Sequence, residues 1–372
     1  MFRIYSDEED VKAVASVLNR GTFWASGPEV ERFEGAISEY AGTRYALCFN
    51  SGTSALHAAL LAHEVEGGEV VVPSFTFVST VNSVVLAGGK PVFAESEPET
   101  LGLDASDVVD RLTPKTKAIV AIHYAGFPSK DVEALRDLAR DRGLLLVEDA
   151  AEAFGARLNG QMVGTFGDSA MYSFCQNKII TTGEGGALVT DSEEVFERAK
   201  LVRSHGRLEE GQDYFSSVRD NDYVRLGYNY RLSTPAAALG LAQLSKVDKI
   251  ISMRRDLAGR LEREISKCGD VEFPKEPTGG FSVHQFFPLF LGDQSTRDQF
   301  QSFLSDRGIM TKVYFQPVHL KKYYREQFGC APGDLPTTES LSARAVSLPF
   351  FPHMEDGEVN YLLEAVREFF NS

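Results

Sequence analysis

A chain of 372 residues is long enough for two domains, or for one large domain with an appendage. Hydrophobic residues make up 43% of the chain, but no apolar run is long enough to cross a lipid bilayer, which argues against a membrane-spanning protein. The formal net charge of −15 argues against broad binding to nucleic acids or to anionic membranes.

Alternating helices and strands are predicted over the first 200 residues. An amphipathic helix at 7–20 is followed by a break, GTFWASGP at 21–28, and by a second helix from 29 to about 40. Strands are predicted near 45–49, 69–72, 91–94, 117–123, 144–148, 170–174 and 187–190, and helices at 54–63, 77–87, 105–112 and 130–141. This alternation is typical of a mainly parallel sheet with helical crossovers.

The remaining segments predict a second, smaller α/β domain. A helix at 193–203 leads to a polar connection at 204–224, and a long helical stretch follows at 234–267. Strands are predicted at 281–291 and 310–315, and helices at 295–306 and 357–370. We therefore predict a large domain over 1–245 and a small C-terminal domain over 246–372.

The chain start and the cysteines indicate the compartment. The chain begins MFRIYSDEED, which is acidic and lacks the apolar core of a secretory signal, so we expect a cytoplasmic protein. The four cysteines have neither metal-ligand spacing nor a CxxC pair. We expect them to be reduced and structural, and we expect no metal site.

The segment 171–187, MYSFCQNKIITTGEGGA, brings a lysine to the end of a buried strand. Lys178 is followed by a loop that contains Gly183, Gly185 and Gly186, which would enclose it in part. Partial desolvation favours the neutral amine that attacks a carbonyl group to form a Schiff base. A solvated lysine beside a flexible turn is the alternative.

Two further segments suggest what such a lysine would meet. The run GLLLVED at 143–149 reads as a buried parallel strand whose last residue, Asp149, needs a positive partner such as a protonated pyridine nitrogen. The segment NSGTSAL at 50–56 ends a strand and begins a helix. Its free backbone N–H groups, with the hydroxyls of Thr53 and Ser54, predict a phosphate site that includes Gly52.

Together these segments resemble fold-type-I enzymes that depend on pyridoxal 5′-phosphate, specifically the DegT/DnrJ/EryC1/StrS family of sugar-nucleotide aminotransferases. Five motifs carry the resemblance in family order, namely NSGTSAL (50–56), PSFTF (73–77), EDAAEAFGA (148–156), YSFCQNKIITTGEGG (172–186) and GYNYRLS (227–233). The EDAAEA and IITTGEGG segments are similar to the GDP-perosamine synthase branch, which aminates C4 of a 4-keto-6-deoxy sugar nucleotide. The resemblance implies a PLP-binding large domain and a homodimer with shared active sites.

The resemblance also implies roles for individual residues. Lys178 would form the Schiff base, Asp149 would hold the pyridine proton, and Ser173 would bind the phosphate. Phe77 would stack on the pyridine ring, and Glu152 would lie near the phenolic oxygen O3′, where most of the family has glutamine. Ordinary alternatives are a core phenylalanine for Phe77, a strand serine for Ser173 and a helix-start carboxylate for Glu152.

The remaining candidates concern the second subunit and the substrate. By resemblance, Asn229 would reach across a dimer interface to the partner's cofactor phosphate, with Arg231 near it; a loop with a capping asparagine is the alternative. Trp24, Tyr314 and His319 are substrate candidates together with Arg231. Packing residues of a loop or core are the alternative for Trp24, Tyr314 and His319.

The predicted function is amino transfer to a nucleotide-linked sugar by two half-reactions, with glutamate as the donor that the resemblance implies. A sugar dehydratase of the same fold is one alternative, but such relatives lack the Schiff-base lysine, and Lys178 is present. A regulatory protein that binds the cofactor without turnover is the other. The residues leave the nucleotide, the sugar and the aminated carbon open.

Overall fold

The computed structural model describes residues 2–208 and 222–371, so the predicted connection at 204–224 lies largely outside the described residues. The strands are β1 (Tyr45–Phe49), β2 (Glu69–Pro73), β3 (Lys90–Ala94), β4 (Thr116–Ile122), β5 (Leu145–Asp149), β6 (Arg157–Leu158), β7 (Gln161–Met162), β8 (Ser169–Ser173), β9 (Gly186–Thr190), β10 (Gly280–Phe281), β11 (Phe287–Phe290) and β12 (Ala345–Leu348).

The helices are α1 (Glu8–Arg20), α2 (Pro28–Ala41), α3 (Gly52–Ala62), α4 (Val78–Leu86), α5 (Ala105–Arg111), α6 (Val132–Arg142), α7 (Glu193–Arg203), α8 (Thr234–Leu244), α9 (Val247–Ile265), α10 (Gln294–Asp306), α11 (Lys322–Phe328), α12 (Pro336–Arg344) and α13 (Asp356–Asn371). Among the described residues, no helix combines the length and the apolar character that crossing a bilayer requires.

A seven-stranded sheet forms the centre of the molecule, in the order β1-β9-β8-β5-β4-β2-β3. The pairs from β8 to β3 are all parallel, and β9 runs antiparallel to both of its neighbours, β1 and β8. Because β1 therefore runs in the direction of β8, the carboxyl ends of β1, β8, β5, β4 and β2 lie at one edge of the sheet. The predicted mainly parallel sheet is confirmed.

Helices cover both faces of this sheet, and the alternation of side chains explains how. In β4, Ala118 and Val120 join one hydrophobic cluster, whereas Ile119 and Ala121 point to the opposite face and join another. Successive strand residues face opposite sides, so a strand buried on both faces must be apolar throughout. That requirement is why the central strands could be recognised as continuous apolar runs.

The C-terminal part of the chain has its own hydrophobic cluster. The antiparallel pair β11–β12 packs with α9, α10 and α13, whose buried side chains include Leu261, Phe300 and Leu363. The predicted α/β fold class, with a smaller C-terminal α/β part, is confirmed. The predicted boundary at residue 245 stays a prediction; it falls where α8 ends and α9 begins.

Several C-terminal predictions were wrong. The residues 310–315 form no strand, and only Lys312 pairs with Ser347 as an isolated bridge. The strand predicted at 281–291 is interrupted because the backbone N–H groups of Val283 and Gln285 bond to the carbonyls of Gly126 and Ala125 instead. The helix at 234–267 is two helices, and the sequence did not indicate α11, α12 or β12.

A buried carboxylate secures the strand that ends at Asp149. Glu148 has no exposed surface, and its oxygens accept bonds of 2.6–2.8 Å from the backbone N–H groups of Gly164, Phe166 and Gly167. His123 Nδ1 accepts the N–H of Ser129, so the ring proton is on Nε2 and is donated to Glu148 at 2.9 Å. Glu148 therefore ties the loop 164–167 and the end of β4 to β5.

We predict that Glu148→Gln lowers the free energy of unfolding by about 2–4 kcal/mol, because the amide group would turn a donor toward backbone N–H groups. Denaturant unfolding followed by circular dichroism would measure the loss. Glu194→Gln is the matched control, since Glu194 is exposed and pairs with Arg198 on the helix surface, a contact that contributes about 0.5 kcal/mol or less. Equal unfolding free energies for the two variants would contradict this role for Glu148.

Candidate active site

The candidate site lies where strands β1, β5 and β8 end at the same edge of the sheet. Phe49 and Ser173 both pair with Gly186, so the ends of β1 and β8 are in register with the start of β9. Asp149 ends β5, which pairs with β8. Open α/β sheets bind their ligands beyond the carboxyl ends of such strands.

The start of α3 forms a cradle for an anion. Ser51 caps the helix, since its Oγ accepts the N–H of Ser54 at 3.0 Å, and Ser54 Oγ donates to Asn50 at 2.7 Å. By helix geometry, the N–H groups of Gly52 and Thr53 have no acceptor within the helix. Backbone donors and the positive end of the helix dipole therefore point toward the edge of the sheet.

Two glycines allow the start of α3 to lie directly on the sheet. A Cβ atom at Gly186 would lie 2.6 Å from the Cα and N atoms of Gly52. A Cβ atom at Gly52 would lie 2.9 Å from Met171 Sδ and 3.2 Å from Ser173 Oγ. A larger residue at Gly186 would displace the backbone of α3, and one at Gly52 would displace the side chains of Met171 and Ser173, so the helix start and Ser173 face the same space.

Lys178 lies in the connection between the antiparallel strands β8 and β9. Backbone bonds close the base of this connection, from Phe174 N–H to the Gly185 carbonyl and from Thr182 N–H to the Phe174 carbonyl. The lysine side chain is only 13% exposed, and its Nζ lies 3.5 Å from Glu152 Oε1. The amine is thus held at the edge of the sheet.

Glu152 lies in the turns that follow β5 and bridges two parts of the site. Its Oε2 accepts the backbone N–H of Ala125 at 2.9 Å while Oε1 faces Lys178. Burial raises the pKa of the Glu152 carboxyl, and the Lys178 charge and the Ala125 N–H oppose that shift. Glu152 therefore connects the residues after β4 to the lysine.

Asp149 is almost fully buried, and among the described residues it has no lysine or arginine within ion-pair distance. Its Oδ2 accepts the hydroxyl proton of Thr80 at 2.7 Å, and its Oδ1 accepts the N–H of Ala151 at 3.2 Å. Because Thr80 donates to Asp149, the Thr76 hydroxyl must donate to Thr80. Burial raises the pKa of the Asp149 carboxyl, which these hydrogen bonds oppose.

Phe77 and Tyr314 are two aromatic candidates of the site. Phe77 precedes α4, is 57% exposed, and has its ring centroid 5.9 Å from that of Phe315. Burial raises the pKa of the Tyr314 hydroxyl. The Tyr314 carbonyl accepts the hydroxyl of Tyr124, and the next residue, Ala125, donates its N–H to Glu152. The ring of Tyr314 also packs against that of Phe286 in a tilted arrangement, with the ring centroids 4.8 Å apart.

His319 and Trp24 make no described contact with Lys178, Glu152 or Asp149. His319 has no exposed surface, and its ring contacts Ser74 Oγ at 2.6 Å and Glu339 at 3.1 Å. Trp24 is half-exposed, and its carbonyl accepts the N–H of Thr234 at 2.8 Å. Contact of either residue with a substrate stays a prediction.

Asn229 and Arg231 lie beside the end of β1. The Asn229 carbonyl accepts the side-chain amide of Asn50 at 3.2 Å, and Arg231 forms an isolated bridge with Phe49. Both residues are thus close to the start of α3 in their own chain. A role toward a partner subunit stays a prediction.

The sequence reasoning missed three features of the site. It did not foresee that Thr80 donates to Asp149, that Ala125 donates to Glu152, or that Glu148 organises the loop beside them. The adjacent pair Glu148-Asp149 at the end of an apolar strand was a signal, because alternating side chains place the two carboxylates on opposite faces. The other two contacts join segments that are distant in sequence.

The chain is similar to known proteins over nearly its whole length. The sequence model of the DegT/DnrJ/EryC1/StrS aminotransferase family matches residues 5–367. GDP-perosamine synthase of Escherichia coli O157:H7 is 36% identical over 351 residues, which cover 94% of this chain and 92% of that protein. GDP-perosamine synthase of Vibrio cholerae is 34% identical over 368 residues, which cover 98% and 97%.

A solved structure shows the same fold. Helicobacter pylori PseC, an aminotransferase involved in the biosynthesis of pseudoaminic acid, superposes with a TM-score of 0.91 at 31% sequence identity. The alignment covers 99% of this chain and 98% of that chain.

Proposed function

The chain belongs to the DegT/DnrJ/EryC1/StrS aminotransferase family, and we propose that it transfers an amino group to a nucleotide-linked 4-keto-6-deoxy sugar with the help of pyridoxal 5′-phosphate. Family membership confirms the predicted enzyme class, and aminotransferases of this family depend on that cofactor in general. The similarity to two GDP-perosamine synthases favours GDP as the nucleotide and C4 as the aminated carbon. Glutamate is the proposed donor.

The observation that carries the proposal is the buried Asp149 carboxylate, whose described hydrogen bonds come only from neutral donors. An ionised carboxylate in a buried position is stabilised by a cation, and the protonated pyridine nitrogen of the cofactor is such a cation. The amine of Lys178 lies at the same edge of the sheet. The N–H groups at the start of α3 and the hydroxyls of Thr53, Ser54 and Ser173 suit the phosphate.

When bound, pyridoxal phosphate supplies an electron sink and carries the amino group between donor and acceptor. We propose that Lys178 Nζ would hold the cofactor covalently and, as an amine, would move protons between the donor's Cα and the cofactor's C4′. Asp149 keeps the proton on the pyridine nitrogen. The start of α3 and Ser173 hold the phosphate and so orient the ring.

Glu152 and Phe77 would complete the cofactor site. We propose that Glu152 in its protonated form donates to O3′, which its raised pKa and its position beside Lys178 support. Phe77 would cover one face of the pyridine ring and oppose ring tilt, a stacking contact that contributes about 1 kcal/mol beyond area burial. The exposure of the Phe77 ring supports that role, because the ring is not buried in the core and a ligand could cover one of its faces.

For the sugar nucleotide we propose contacts with Tyr314, Trp24 and Arg231. The hydrogen bond from Tyr124 to the Tyr314 carbonyl, next to the Ala125 N–H that binds Glu152, supports the first. The buried His319 would act as a positioning residue, since it links Ser74 after β2 to Glu339 in α12. The predicted cytoplasmic location stays a prediction.

A panel of GDP-, UDP- and dTDP-linked ketosugars, incubated with glutamate and analysed by mass spectrometry, tests the proposal directly. An amino sugar should form together with 2-oxoglutarate. Deoxygenated sugar without amination would favour the dehydratase alternative. Cofactor binding with neither product would favour the regulatory one.

We predict that borohydride reduction fixes the cofactor to Lys178, because the hydride makes the covalent link to the amine irreversible. Peptide mapping by mass spectrometry would locate the modified residue. Lys178→Ala should lower amination by about 1,000-fold or more, since the covalent anchor and the proton carrier are both lost. Modification of another lysine in the wild-type protein would refute the central assignment.

The two buried carboxylates should respond differently to neutral replacement. We predict that Asp149→Asn lowers amination by about 100-fold or more, because an amide cannot hold the pyridinium charge, whereas Glu152→Gln stays within about tenfold of the wild type, because its amide still donates to O3′. Steady-state rates with far-ultraviolet circular dichroism as the folding control would compare them. Near-normal turnover of Asp149→Asn would show that this carboxylate is structural.

We also propose that the active unit is a twofold dimer in which Asn229 reaches the partner's phosphate site. The support is the position of Asn229 and Arg231 beside the start of α3, together with the family resemblance. In a closed dimer such contacts are reciprocal, so each site would combine Lys178 of one chain with Asn229 of the other.

Mixing the two inactive variants would test the shared site. If Lys178→Ala and Asn229→Ala homodimers are each impaired, random re-association should return about a quarter of all sites to wild-type composition, because one site of each mixed dimer receives both intact residues. Amination assays before and after subunit exchange would measure the recovery. If exchange is demonstrated by mass-tagged subunits and activity does not return, Asn229 acts within its own chain.

A further inference from the structure

A second buried cation, Arg254, lines the same cavity as Lys178. Arg254 in α9 is 4% exposed, and its Nη1 donates to the carbonyls of His284 at 3.1 Å and Gln285 at 3.0 Å. Its guanidinium lies 5.7 Å from the ring centroid of Phe350. Burial lowers the pKa of Arg254 to about 10, so the side chain remains charged at neutral pH.

Arg254 has no acidic partner among the residues that the structure describes. Its Nε is buried and makes no hydrogen bond there. The next residue along the helix shows the usual arrangement, since Arg255 pairs with Glu276 at 2.9 Å and donates to the Ser282 carbonyl. A buried guanidinium without a carboxylate is costly, which points to an anion that the chain itself does not supply.

Lys178 also lines the cavity that Arg254 lines. The lining of this cavity includes Lys178 and Arg254, Arg3, whose charge is paired with Glu358, and the polar residues Gln176 and Asn177. No aspartate or glutamate is found among the described lining residues, although the chain carries a net charge of −15. The local field in this cavity therefore favours an anion.

Arg254 is connected to the Lys178 segment through one residue. Gln285, whose carbonyl accepts from Arg254, donates its side-chain amide to the Asn177 carbonyl. Gln285 Oε1 is itself buried without a hydrogen-bond partner among the described residues. A polar ligand between these groups would satisfy atoms that are otherwise left unbonded.

We propose that Arg254 binds a carboxylate of the amino donor in this cavity and so determines donor specificity, an inference that rests on the proposed aminotransferase function. The planar guanidinium matches a carboxylate, which can accept two parallel hydrogen bonds. Arg3 suits this role less well because it already pairs with Glu358 at 2.5 Å. The residues proposed for the cofactor phosphate, at the start of α3 and at Ser173, do not line this cavity.

Binding of glutarate, a dicarboxylate that cannot react, tests this inference without turnover. Isothermal titration calorimetry on the purified protein should show that Arg254→Gln weakens glutarate binding by about tenfold or more, because a charge-assisted pair is lost. Arg254→Lys keeps the charge without the planar fork, so its affinity should fall between the two. Arg255→Gln, in the same helix but outside the cavity, is the matched control and should stay within about twofold of the wild type.

The two half-reactions separate donor binding from a purely structural role. Two losses are compared in Arg254→Gln: the loss of kcat/KM for glutamate, and the loss of the single-turnover rate with ketosugar and the aminated cofactor. The first loss should be at least about tenfold larger than the second, because only the first reaction uses the donor. Equal losses in both, with unchanged glutarate affinity, would overturn the inference. Weakened binding of GDP instead of glutarate would also overturn it and would assign the cavity to the nucleotide diphosphate.

The remaining outcomes separate this inference from the proposed function. If Arg254→Gln fails to fold, Arg254→Lys carries the comparison, and a wild-type glutarate affinity in that folded variant would overturn the inference. If glutarate binding depends on Arg254 but no sugar nucleotide is aminated, the anion site is supported and the proposed function fails. If amination proceeds and glutarate binds Arg254→Gln as it binds the wild type, the inference fails alone.

Discussion

Burial of ionised groups at one edge of the large sheet is the constraint on which this site depends. Glu148 and Asp149 are neighbours at the end of β5, yet only Glu148 is satisfied by the chain, with three backbone N–H groups and the ring proton of His123. From the part of the chain that the structure describes, Asp149 receives a hydroxyl and one N–H group. A buried charge that the protein itself compensates stabilises the fold, whereas one left without an opposite charge needs a ligand.

Close approach of two backbone segments connects the anion cradle at the start of α3 with the loop that contains Lys178. Gly52 and Gly186 face each other, so the start of α3 rests on the ends of β8 and β9. The connection between these two strands contains Lys178. Any displacement of the helix start would therefore move the anion cradle relative to the amine, and the two must be positioned together.

Local electrostatics at the site differ from those of the whole chain. The net charge of −15 would repel anionic ligands at long range, but salt screens fields beyond about 10 Å. At short range, the cavity beside Lys178 has cations and amide groups and no acidic side chain among its described lining residues. Arg254 shows this difference between local and overall charge most clearly, because it is buried and has no acidic partner among the described residues.

The sequence by itself determined the large sheet, because strands buried on both faces must be apolar throughout, and each of its strands was predicted to within about one residue. It also indicated Lys178 and Asp149, since each lies within a few residues of the end of an apolar run. The tertiary structure alone decided the C-terminal part, where 310–315 looked like a strand but bonds to other segments. Arg254 was missed for the same reason: an arginine in an amphipathic helix reads as exposed, and its burial depends on residues such as Gln285 and Phe350 that are distant in sequence.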